Sequence, residues 1–462
     1  MAKVSIFNDI IVVPLELLSD SELSTIQKAS SYTDTGIAYQ IKNLRMSYYS
    51  SPAKIKALEA QLKVTLWDIV DTNLVLPQGF EYLIPTRLEI EDLRVLPKRK
   101  KMIWYKQPTK TLRYYQREAV DALLKRSRGQ AVMSTGSGKS FTLLNLVRET
   151  GLKTLIICPS TIIGEQLYEE FAMHFGKKLV GMYGAGKKEL KQITIGLYQS
   201  VTKNIELFQD VELIAIDESQ TLGASSLVEI SRKLAHVPYC YSVSATNYRA
   251  DGKTPEIYAC SGEVVYLFDA QRAIKEGFLA QPFFYVRDVT SSGGNFDRKQ
   301  ANYSAHVLHN PALNAQIVTD ARKMLERNMS VLILVQEIEH GALIAAELGA
   351  PTANGENKGS KKLINDLNSG AIKCLVAGAA FCGIGTDTVR VDCLIIASFP
   401  GTEGLTTQLV GRGLRMYPGK KKVIVLDYIP LGNGMLKRHG ENRIDWYKSL
   451  GPVTRIGLKD NE

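Results

Sequence analysis

Residues 133–140 read Met-Ser-Thr-Gly-Ser-Gly-Lys-Ser and constrain the fold more than any other stretch of the chain. An apolar run, 130–133, precedes this stretch, and a helix-compatible sequence, 141–148, follows it. A strand, a glycine loop and a helix in this order are typical of a loop that binds phosphate groups. Met133 stands where the general pattern has its first glycine. The alternative is a glycine-rich turn that binds no nucleotide.

The residue types in this loop suit the phosphates of ATP and a magnesium ion. Gly136 and Gly138 allow backbone N–H groups to turn toward phosphate oxygens, and the helix N-terminus adds a partial positive charge. Lys139 is predicted to reach the β- and γ-phosphates, and the Ser140 hydroxyl to bind Mg²⁺. The predicted nucleotide-binding positions of the loop are Thr135, Gly136, Ser137, Gly138, Lys139 and Ser140.

Short apolar runs alternate with helical stretches from Leu112 onward, which is the pattern of buried parallel strands joined by crossover helices. One series has its runs at 154–158, 211–216 and 240–243. A second series follows a Gly/Ser-rich break at 291–294, with runs at 331–335, 374–377, 393–397 and 423–427. The sequence therefore predicts an α/β fold with two tandem, doubly wound parallel-sheet domains and a small mixed N-terminal domain. The predicted divisions are 1–108, 109–270, 271–430 and a tail, 431–462, packed on the second sheet domain.

Composition narrows the class of protein. Hydrophobic residues at 45% and charged residues at 23% are ordinary for a globular chain. A net charge of +10 suits a phosphate-backbone partner, although a basic surface also serves solubility alone. The six cysteines lack CxxC spacing, so neither a zinc site nor a disulfide framework is indicated. No apolar run reaches the roughly 18 residues of a membrane span, and we expect a cytoplasmic protein without membrane contact, in a host cytoplasm if a phage encodes it.

A basic and aromatic stretch, 98–106, separates the N-terminal region from the first series of strands. Its cations could meet phosphates and its rings could stack on bases. The competing interpretation, which we favour from sequence, is a solvated linker whose aromatic residues anchor it to a neighbouring domain.

Two carboxylates follow the apolar run 211–216. Because ligand crevices of parallel sheets lie at the carboxyl ends of strands, Asp217 and Glu218 are predicted to project beside the phosphate loop. Asp217 is placed to hold Mg²⁺, and Glu218 to orient and deprotonate the attacking water. An acidic pair after a strand can also be a simple helix cap, but the upstream phosphate loop favours the catalytic interpretation.

With these signals in order over residues 111–428, the chain resembles the superfamily 2 helicases, which tolerate a residue such as Met133 at the first loop position. Their sheet domains are RecA-like. The sequence Leu112-Arg113-Tyr114-Tyr115-Gln116 is similar to the adenine-reading element of the family. The resemblance implies that Arg113 and Gln116 contact the nucleotide, and a glutamine amide can both donate to and accept from an adenine edge.

Three loops resemble the nucleic-acid and coupling elements of the family. The sequence 247–252 extends the resemblance toward RecG-type, XPB-type and phage recombination helicases rather than RNA helicases. Gln220, where many relatives carry His or Asp, is predicted to hydrogen-bond across to the coupling element. The implied nucleic-acid contacts are Ser160, Thr161, Gln199, Ser200 and Arg249, and the implied coupling residues are Ser244, Ala245 and Thr246.

The second series of strands carries two further resemblances. Gly385 and Asp387 match an element usually written Gly-Ile-Asp, and are implied to contact the nucleotide. Arg412 and Arg415, spaced three apart, are predicted to share one helical face and to neutralise charge on the transferring phosphoryl group from the second domain.

The sequence thus predicts an ATP- and Mg²⁺-dependent DNA helicase or translocase that remodels forked or branched DNA in replication, recombination or repair. We expect a monomer, with replication or recombination proteins as partners. Two alternatives stay open: an ATP-dependent RNA helicase, and a clamp that binds nucleotide without hydrolysing it.

Overall fold

The computed structural model describes residues 2–46, 51–222, 229–230, 232–246, 249, 251–291, 299–357, 359–383 and 388–458. The chain forms two compact units. The first comprises Met1–Met133 and Gly138–Phe268, and the second comprises Ser134–Ser137 and Asp269–Glu462. Among the described residues, no helix combines the length and the apolar character needed to cross a membrane.

The first unit opens with a small mixed α/β part, residues 2–92, which we call the N-terminal module. Its five-stranded sheet has the order β5-β6-β2-β1-β7, with β1 and β7 parallel and the other pairs antiparallel. A separate antiparallel pair joins β3 to β4. The strands are β1 (Val4–Ile6), β2 (Ile10–Pro14), β3 (Ser31–Thr33), β4 (Lys63–Thr65), β5 (Asp68–Val70), β6 (Asn73–Pro77) and β7 (Ile90–Asp92). The helices are α1 (Asp20–Ala29), α2 (Thr35–Met46) and α3 (Pro52–Glu59).

The rest of the first unit is an eight-stranded sheet of order β11-β10-β12-β9-β13-β14-β8-β15, parallel except for the short edge strand β11. Its central strands are buried along their whole length, which explains their continuous apolar runs. The strands are β8 (Arg128–Met133), β9 (Thr154–Cys158), β10 (Val180–Gly184), β11 (Lys187–Lys188), β12 (Ile193–Leu197), β13 (Leu213–Asp217), β14 (Tyr239–Ser244) and β15 (Val264–Phe268). The helices are α4 (Tyr114–Leu124), α5 (Lys139–Thr150), α6 (Thr161–Phe175), α7 (Tyr198–Lys203) and α8 (Thr254–Ser261).

The second unit contains a seven-stranded, wholly parallel sheet of order β18-β19-β17-β20-β21-β16-β22. The strands are β16 (Gln281–Val289), β17 (Val331–Val335), β18 (Thr352–Ala353), β19 (Cys374–Gly378), β20 (Cys393–Ala397), β21 (Lys422–Pro430) and β22 (Val453–Ile456). The helices are α9 (Ala270–Lys275), α10 (Lys299–Tyr303), α11 (Pro311–Glu326), α12 (Ile338–Leu348), α13 (Ser360–Ser369), α14 (Ala379–Gly383), α15 (Glu403–Gly413) and α16 (Gly434–Leu450).

The predicted fold class, two tandem parallel-sheet domains with a small mixed N-terminal domain, is confirmed. The two units divide between Phe268 and Asp269, beside the predicted division at 270/271. The C-terminal stretch is more than a covering tail, because β22 joins the sheet beside β16. Its helix α16 is fixed by a buried ion pair between Arg443 Nε and Asp427 Oδ2 at 2.7 Å.

The N-terminal module shares a hydrophobic core with the sheet that follows it in the first unit. Ala259 of α8 belongs to the same buried cluster as the apolar residues of β1, β2 and β6. Gly79 packs so closely on this helix that an added Cβ would lie 2.1 Å from the carbonyl oxygen of Tyr258. The buried Arg128 at the start of β8 donates to Gln78 and to the carbonyl of Asn8. The N-terminal module and the sheet that follows it therefore pack together within the first unit.

Candidate nucleotide site

Five loops lie at one edge of the sheet of the first unit. They follow β12, β9, β13, β14 and β8, which are neighbours in that order and run parallel. The phosphate loop follows β8, the acid pair ends β13, and the coupling element ends β14. Because parallel strands end at a common edge, motifs that are far apart in sequence become a row.

The phosphate loop has the backbone that its glycines predict. Gly136 and Gly138 have φ values of 86° and 84°, in the left-handed region that favours glycine. Gly138 caps the N-terminus of α5, and Lys139 is the first residue of that helix. A Cβ on Gly138 would lie 2.4 Å from Nε2 of Gln116, so no side chain fits there without displacing Gln116.

Gln116 ties the start of α4 to this loop. Its Oε1 accepts from the backbone N–H of Arg113 at 2.9 Å, and its Nε2 donates to the carbonyl of Gly138 at 3.3 Å. The Arg113 guanidinium donates to the Tyr115 hydroxyl at 2.8 Å. The structure therefore places the predicted adenine-reading element beside the phosphate loop, and it also gives the Gln116 amide a role in fixing that loop.

Glu218 is the best-connected carboxylate of the site. Lys139 Nζ lies 3.1 Å from its Oε1, with only 10% and 19% of the two side chains exposed. Its Oε2 accepts from Gln220 Nε2 at 2.7 Å and from the Ala245 backbone N–H at 3.3 Å. One carboxylate thus joins the phosphate loop, the acid pair and the coupling element.

The two neighbouring carboxyl groups differ in proton affinity. Burial, reinforced by the charge of Glu218, raises the pKa of Asp217 to about 7. Burial also acts to raise the pKa of Glu218, but the Lys139 ammonium and the Gln220 hydrogen bond outweigh it and hold this pKa below its usual value. Glu218 is therefore the member of the pair kept ionised, as a group that accepts a proton from water must be.

The backbone at Glu218 is strained. Its φ of 52° and ψ of 51° are left-handed, a conformation that costs a residue with a side chain on the order of 1–3 kcal/mol. A backbone hydrogen bond from Glu218 N–H to the Val243 carbonyl, at 3.1 Å, holds the turn against β14. In this turn the Glu218 side chain lies beside Lys139, and no feature of the sequence predicted the left-handed backbone.

Gln220 differs from its predicted contact. We expected its amide to bond across to the coupling element, but in the described residues it donates to Glu218 instead. Glu218 itself makes the bond to the coupling element, through Ala245. The physical reason is the strained turn, which places Glu218 between Gln220 and β14.

Replacing Gln220 with alanine tests this arrangement. Because one donor to the Glu218 carboxylate is lost, we expect the rate of ATP hydrolysis to fall about tenfold, the value of a hydrogen bond to a charged group. Phosphate release at saturating ATP measures it. Gln192→Ala is the matched control, since Gln192 lies before β12 at the opposite sheet edge and donates to the Gly151 carbonyl. An equal loss in both variants would contradict the assignment.

The donor set also fits Mg²⁺. Ser140 is the second residue of α5, and Asp217 ends β13 with 5% of its surface exposed. Mg²⁺ in phosphate sites takes one or two protein oxygens and fills its octahedron with phosphate and water. In the described part of the chain, no cluster of three or more His, Cys, Asp or Glu side chains could hold a metal by itself. A hydroxyl and one carboxylate are therefore a set that needs the nucleotide to complete it.

The loops predicted to contact nucleic acid lie on the same edge. Ser160 caps α6 through Ile163 N–H at 3.4 Å, and Thr161 at the helix start is exposed. Gln199 is exposed on α7, and Ser200 follows it.

Arg249 does not fit the prediction that it contacts nucleic acid. Its side chain is 7% exposed and forms an ion pair with Asp251 at 2.6 Å. It also donates to the carbonyl of Leu222, in the turn after the acid pair. These bonds occupy the guanidinium, so Arg249 fixes the loop instead. Asn247, Tyr248 and Ala250 lie outside the described residues.

The N-terminal module braces this same loop, which the sequence did not predict. Lys253 Nζ lies 2.6 Å from Asp34 Oδ2, with 20% and 13% of the side chains exposed. The Thr35 hydroxyl donates to the Asp251 carbonyl at 2.9 Å. The Tyr32 hydroxyl donates to Glu256 on α8. Contacts thus run from Leu222, in the turn after the acid pair, through Arg249 and Asp251 to Thr35 of the module. Residues 32–35 match no motif, so their contacts with this loop could be found only from the fold.

In the second unit, the two arginines differ from the predicted arrangement. Arg412 is buried in the last turn of α15, but the helix ends at Gly413, so Arg415 lies beyond it rather than on the same helical face. Lys420 donates to the Gly413 carbonyl at the end of this helix, and the backbone of Arg415 pairs antiparallel with that of Leu279. Burial lowers the pKa of Arg415 to about 10. Gly385 and Asp387 lie outside the described residues.

Comparison with known proteins agrees with the motifs. Residues 109–249 match the family described as type III restriction enzyme, res subunit. The chain is 28% identical over 336 residues to a Halobacterium salinarum protein provisionally named DNA 3'-5' helicase Rad25, covering 68% of this chain and 53% of that protein. It is 26% identical over 329 residues to a provisionally named helicase, D10, of Escherichia phage T5, covering 68% and 70%.

A solved structure shows the same fold. A fragment of a provisionally named HsdR subunit of a type I restriction enzyme from Vibrio vulnificus YJ016 aligns with a TM-score of 0.56 at 20% identity, covering 76% of this chain and 69% of that one. The chain spans about half the length of the first curated relatives it matches. The predicted resemblance to superfamily 2 DNA helicases is confirmed.

Proposed function

We propose that this chain is an ATP-dependent DNA helicase or translocase. The observation that carries the proposal is the position of Glu218, held between Lys139 of the phosphate loop and Ala245 of the coupling element. ATP-driven movement requires a cation that binds phosphate and an ionised carboxylate that activates water. It also requires a loop that connects this carboxylate to the nucleic-acid contacts. The DNA-helicase relatives favour DNA over RNA as the substrate.

In this proposal, Lys139 binds the β- and γ-phosphates and so leaves Glu218 to orient and deprotonate the attacking water. Ser140 and Asp217 hold Mg²⁺, which neutralises phosphate charge when bound. The Gln220 and Ala245 donors position the Glu218 carboxylate, so a change at Glu218 reaches β14 directly. Arg412, Arg415, Gly385 and Asp387 remain predictions from the resemblance.

The experiment that tests the proposal compares ATP hydrolysis with single-stranded, duplex, forked and four-way DNA and with RNA of the same sequence. We expect DNA to stimulate hydrolysis more than RNA does. Stimulation by RNA alone would favour an RNA helicase. If ATP binds but no phosphate is released under all of these conditions, the result would favour a clamp that does not hydrolyse ATP.

We further propose that forked or branched DNA is the preferred substrate, and that the N-terminal module supplies the preference. The support is the contact of Asp34, Thr35 and Tyr32 with the segment after the coupling element. Deleting the module would expose the core that it shares with α8, so a point variant is the better test.

Asp34→Asn removes the ion pair with Lys253 and keeps a side chain that can cap α2, since Asp34 Oδ1 accepts from the backbone N–H groups of Gly36 and Ile37. We expect the ratio of hydrolysis on forked over tailed duplex DNA to fall about fivefold or more, the size of a typical coupling between sites. Glu59→Gln is the control, because its pair with Arg45 is exposed and contributes little. An unchanged ratio in a folded Asp34→Asn protein would refute the role of the module.

A further inference from the structure

The basic and aromatic segment 98–106, which we call the strap, lies at the sheet edge opposite the phosphate loop. Its Lys100 N–H donates to the Thr150 carbonyl at 2.9 Å, and its Met102 N–H to the Arg148 carbonyl at 2.8 Å. Both acceptors are at the C-terminal end of α5, the helix that the phosphate loop begins. A helix of 12 residues is about 18 Å long. The strap therefore cannot be part of the row of loops at the carboxyl edge.

Two side chains of the strap fix it to the first unit. Trp104 packs against Phe175, with ring centroids 5.1 Å apart, and Arg148 lies 4.7 Å above its ring. Arg99 donates to the Tyr241 hydroxyl at 3.1 Å and to the carbonyl of Leu124. The anchored linker that the sequence favoured is thus observed for the inward side of the strap.

The outward side is different in character. Ile103 is 89% exposed and Tyr105 is 80% exposed. The Tyr105 ring rests on Gly176, where an added Cβ would lie 3.3 Å from its Cγ. Lysines flank these two residues on the strap and follow Gly176 directly in the chain. The lysines are Lys98, Lys100, Lys106, Lys177 and Lys178, all exposed and none in an ion pair within the described residues.

We propose that this surface, formed by the strap and residues 176–178, is a second binding site for single-stranded nucleic acid. Unpaired ammonium groups on a fixed backbone suit a phosphodiester chain, and an open tyrosine ring between them suits an unstacked base. A duplex would satisfy the lysines but leaves no base face for Tyr105. The site rests on the proposed function, because it would hold a second segment of the substrate away from the loops at the carboxyl edge.

Salt dependence tests the lysines. A fluorescein-labelled oligothymidylate is titrated with the full chain, without nucleotide, at several salt concentrations. The triple variant Lys100→Gln/Lys177→Gln/Lys178→Gln loses three phosphate contacts. Each contact contributes about 0.7 to the slope of the logarithm of the association constant against the logarithm of the salt concentration, so we expect this slope to become shallower by about two. The control, Lys323→Gln/Lys361→Gln/Lys362→Gln, removes three exposed lysines of the second unit and should keep the wild-type slope.

Tyr105 tests the stacking. We expect Tyr105→Ala to weaken oligothymidylate binding about tenfold, and Tyr105→Phe to retain it, since the ring is kept. Ultraviolet cross-linking of an oligonucleotide containing 5-iodouracil should label the strap. Thermal unfolding midpoints equal to wild type show that the variants are folded.

The outcomes separate this inference from the proposed function. If the wild-type chain binds oligothymidylate with the same slope as Lys100→Gln/Lys177→Gln/Lys178→Gln, and cross-links form only at 159–161 and 198–200, the second site is refuted and the helicase proposal stands. If a blunt duplex competes better than the single strand, the assignment to single strands is wrong. If the wild-type chain binds no nucleic acid, the proposed function itself fails.

Discussion

Lys139→Ala is expected to reduce ATP hydrolysis by about a hundredfold or more, the typical cost of losing one group that stabilises transferring charge. Within the described residues of the first unit, Lys139 is the cation that meets Glu218, at 3.1 Å. Removing it takes the positive charge from the phosphate loop and also leaves a largely buried carboxylate without its cation. Both effects act on the same step, because burial then raises the pKa of Glu218 and disfavours its ionised form.

The measurement is phosphate release with and without DNA, together with binding of a fluorescent ATP analogue. We expect binding to weaken as well, since the ammonium contacts phosphate in the ground state. Lys233→Ala is the matched control, because Lys233 forms an exposed ion pair with Glu229 at 2.8 Å in the same unit, away from the phosphate loop and the strap. Wild-type turnover in Lys139→Ala would remove the assignment of the phosphate loop.

Glu218→Gln is expected to bind ATP and to hydrolyse it at least about a hundredfold more slowly, within the range for loss of a general base. The glutamine keeps the length of the side chain and loses the basic oxygen. Glu218 accepts from three donors, Lys139 Nζ, Gln220 Nε2 and the Ala245 N–H. A glutamine has one acceptor oxygen where the carboxylate has two, so it can accept from fewer of these donors. We therefore expect two losses: the site loses its general base, and the coupling element loses a hydrogen-bond partner.

Two readouts distinguish these effects. Single-turnover phosphate release reports the chemical step, and protection of the backbone N–H of Ala245 from hydrogen exchange reports the contact with the coupling element. Glu189→Gln is the control, as Glu189 is an exposed acid paired with Lys191 at 2.7 Å. Hydrolysis at the full rate in Glu218→Gln would assign the water-activating role to another group.

The sequence by itself determined the parallel sheets and the left-handed glycines of the phosphate loop. Apolar runs predict buried strands because strands covered on both faces leave no polar positions, and the run 154–158 coincides with β9. The left-handed backbone at Gly136 and Gly138 is predictable because few other residues adopt a positive φ. The positions of Asp217 and Glu218 beside the phosphate loop are predictable because the carboxyl ends of parallel strands lie at one edge of the sheet.

The tertiary structure alone decided which side chains meet. The strain at Glu218 depends on a hydrogen bond to Val243, and the brace from Asp34 to Lys253 joins segments that share no periodicity. The end of α15 at Gly413 depends on Lys420 and on the pairing of Arg415 with Leu279. The placement of the strap depends on where α5 ends. Local patterns report the environment of a residue along its own strand or helix, whereas partners distant in sequence are set by how the elements pack, and packing is not periodic.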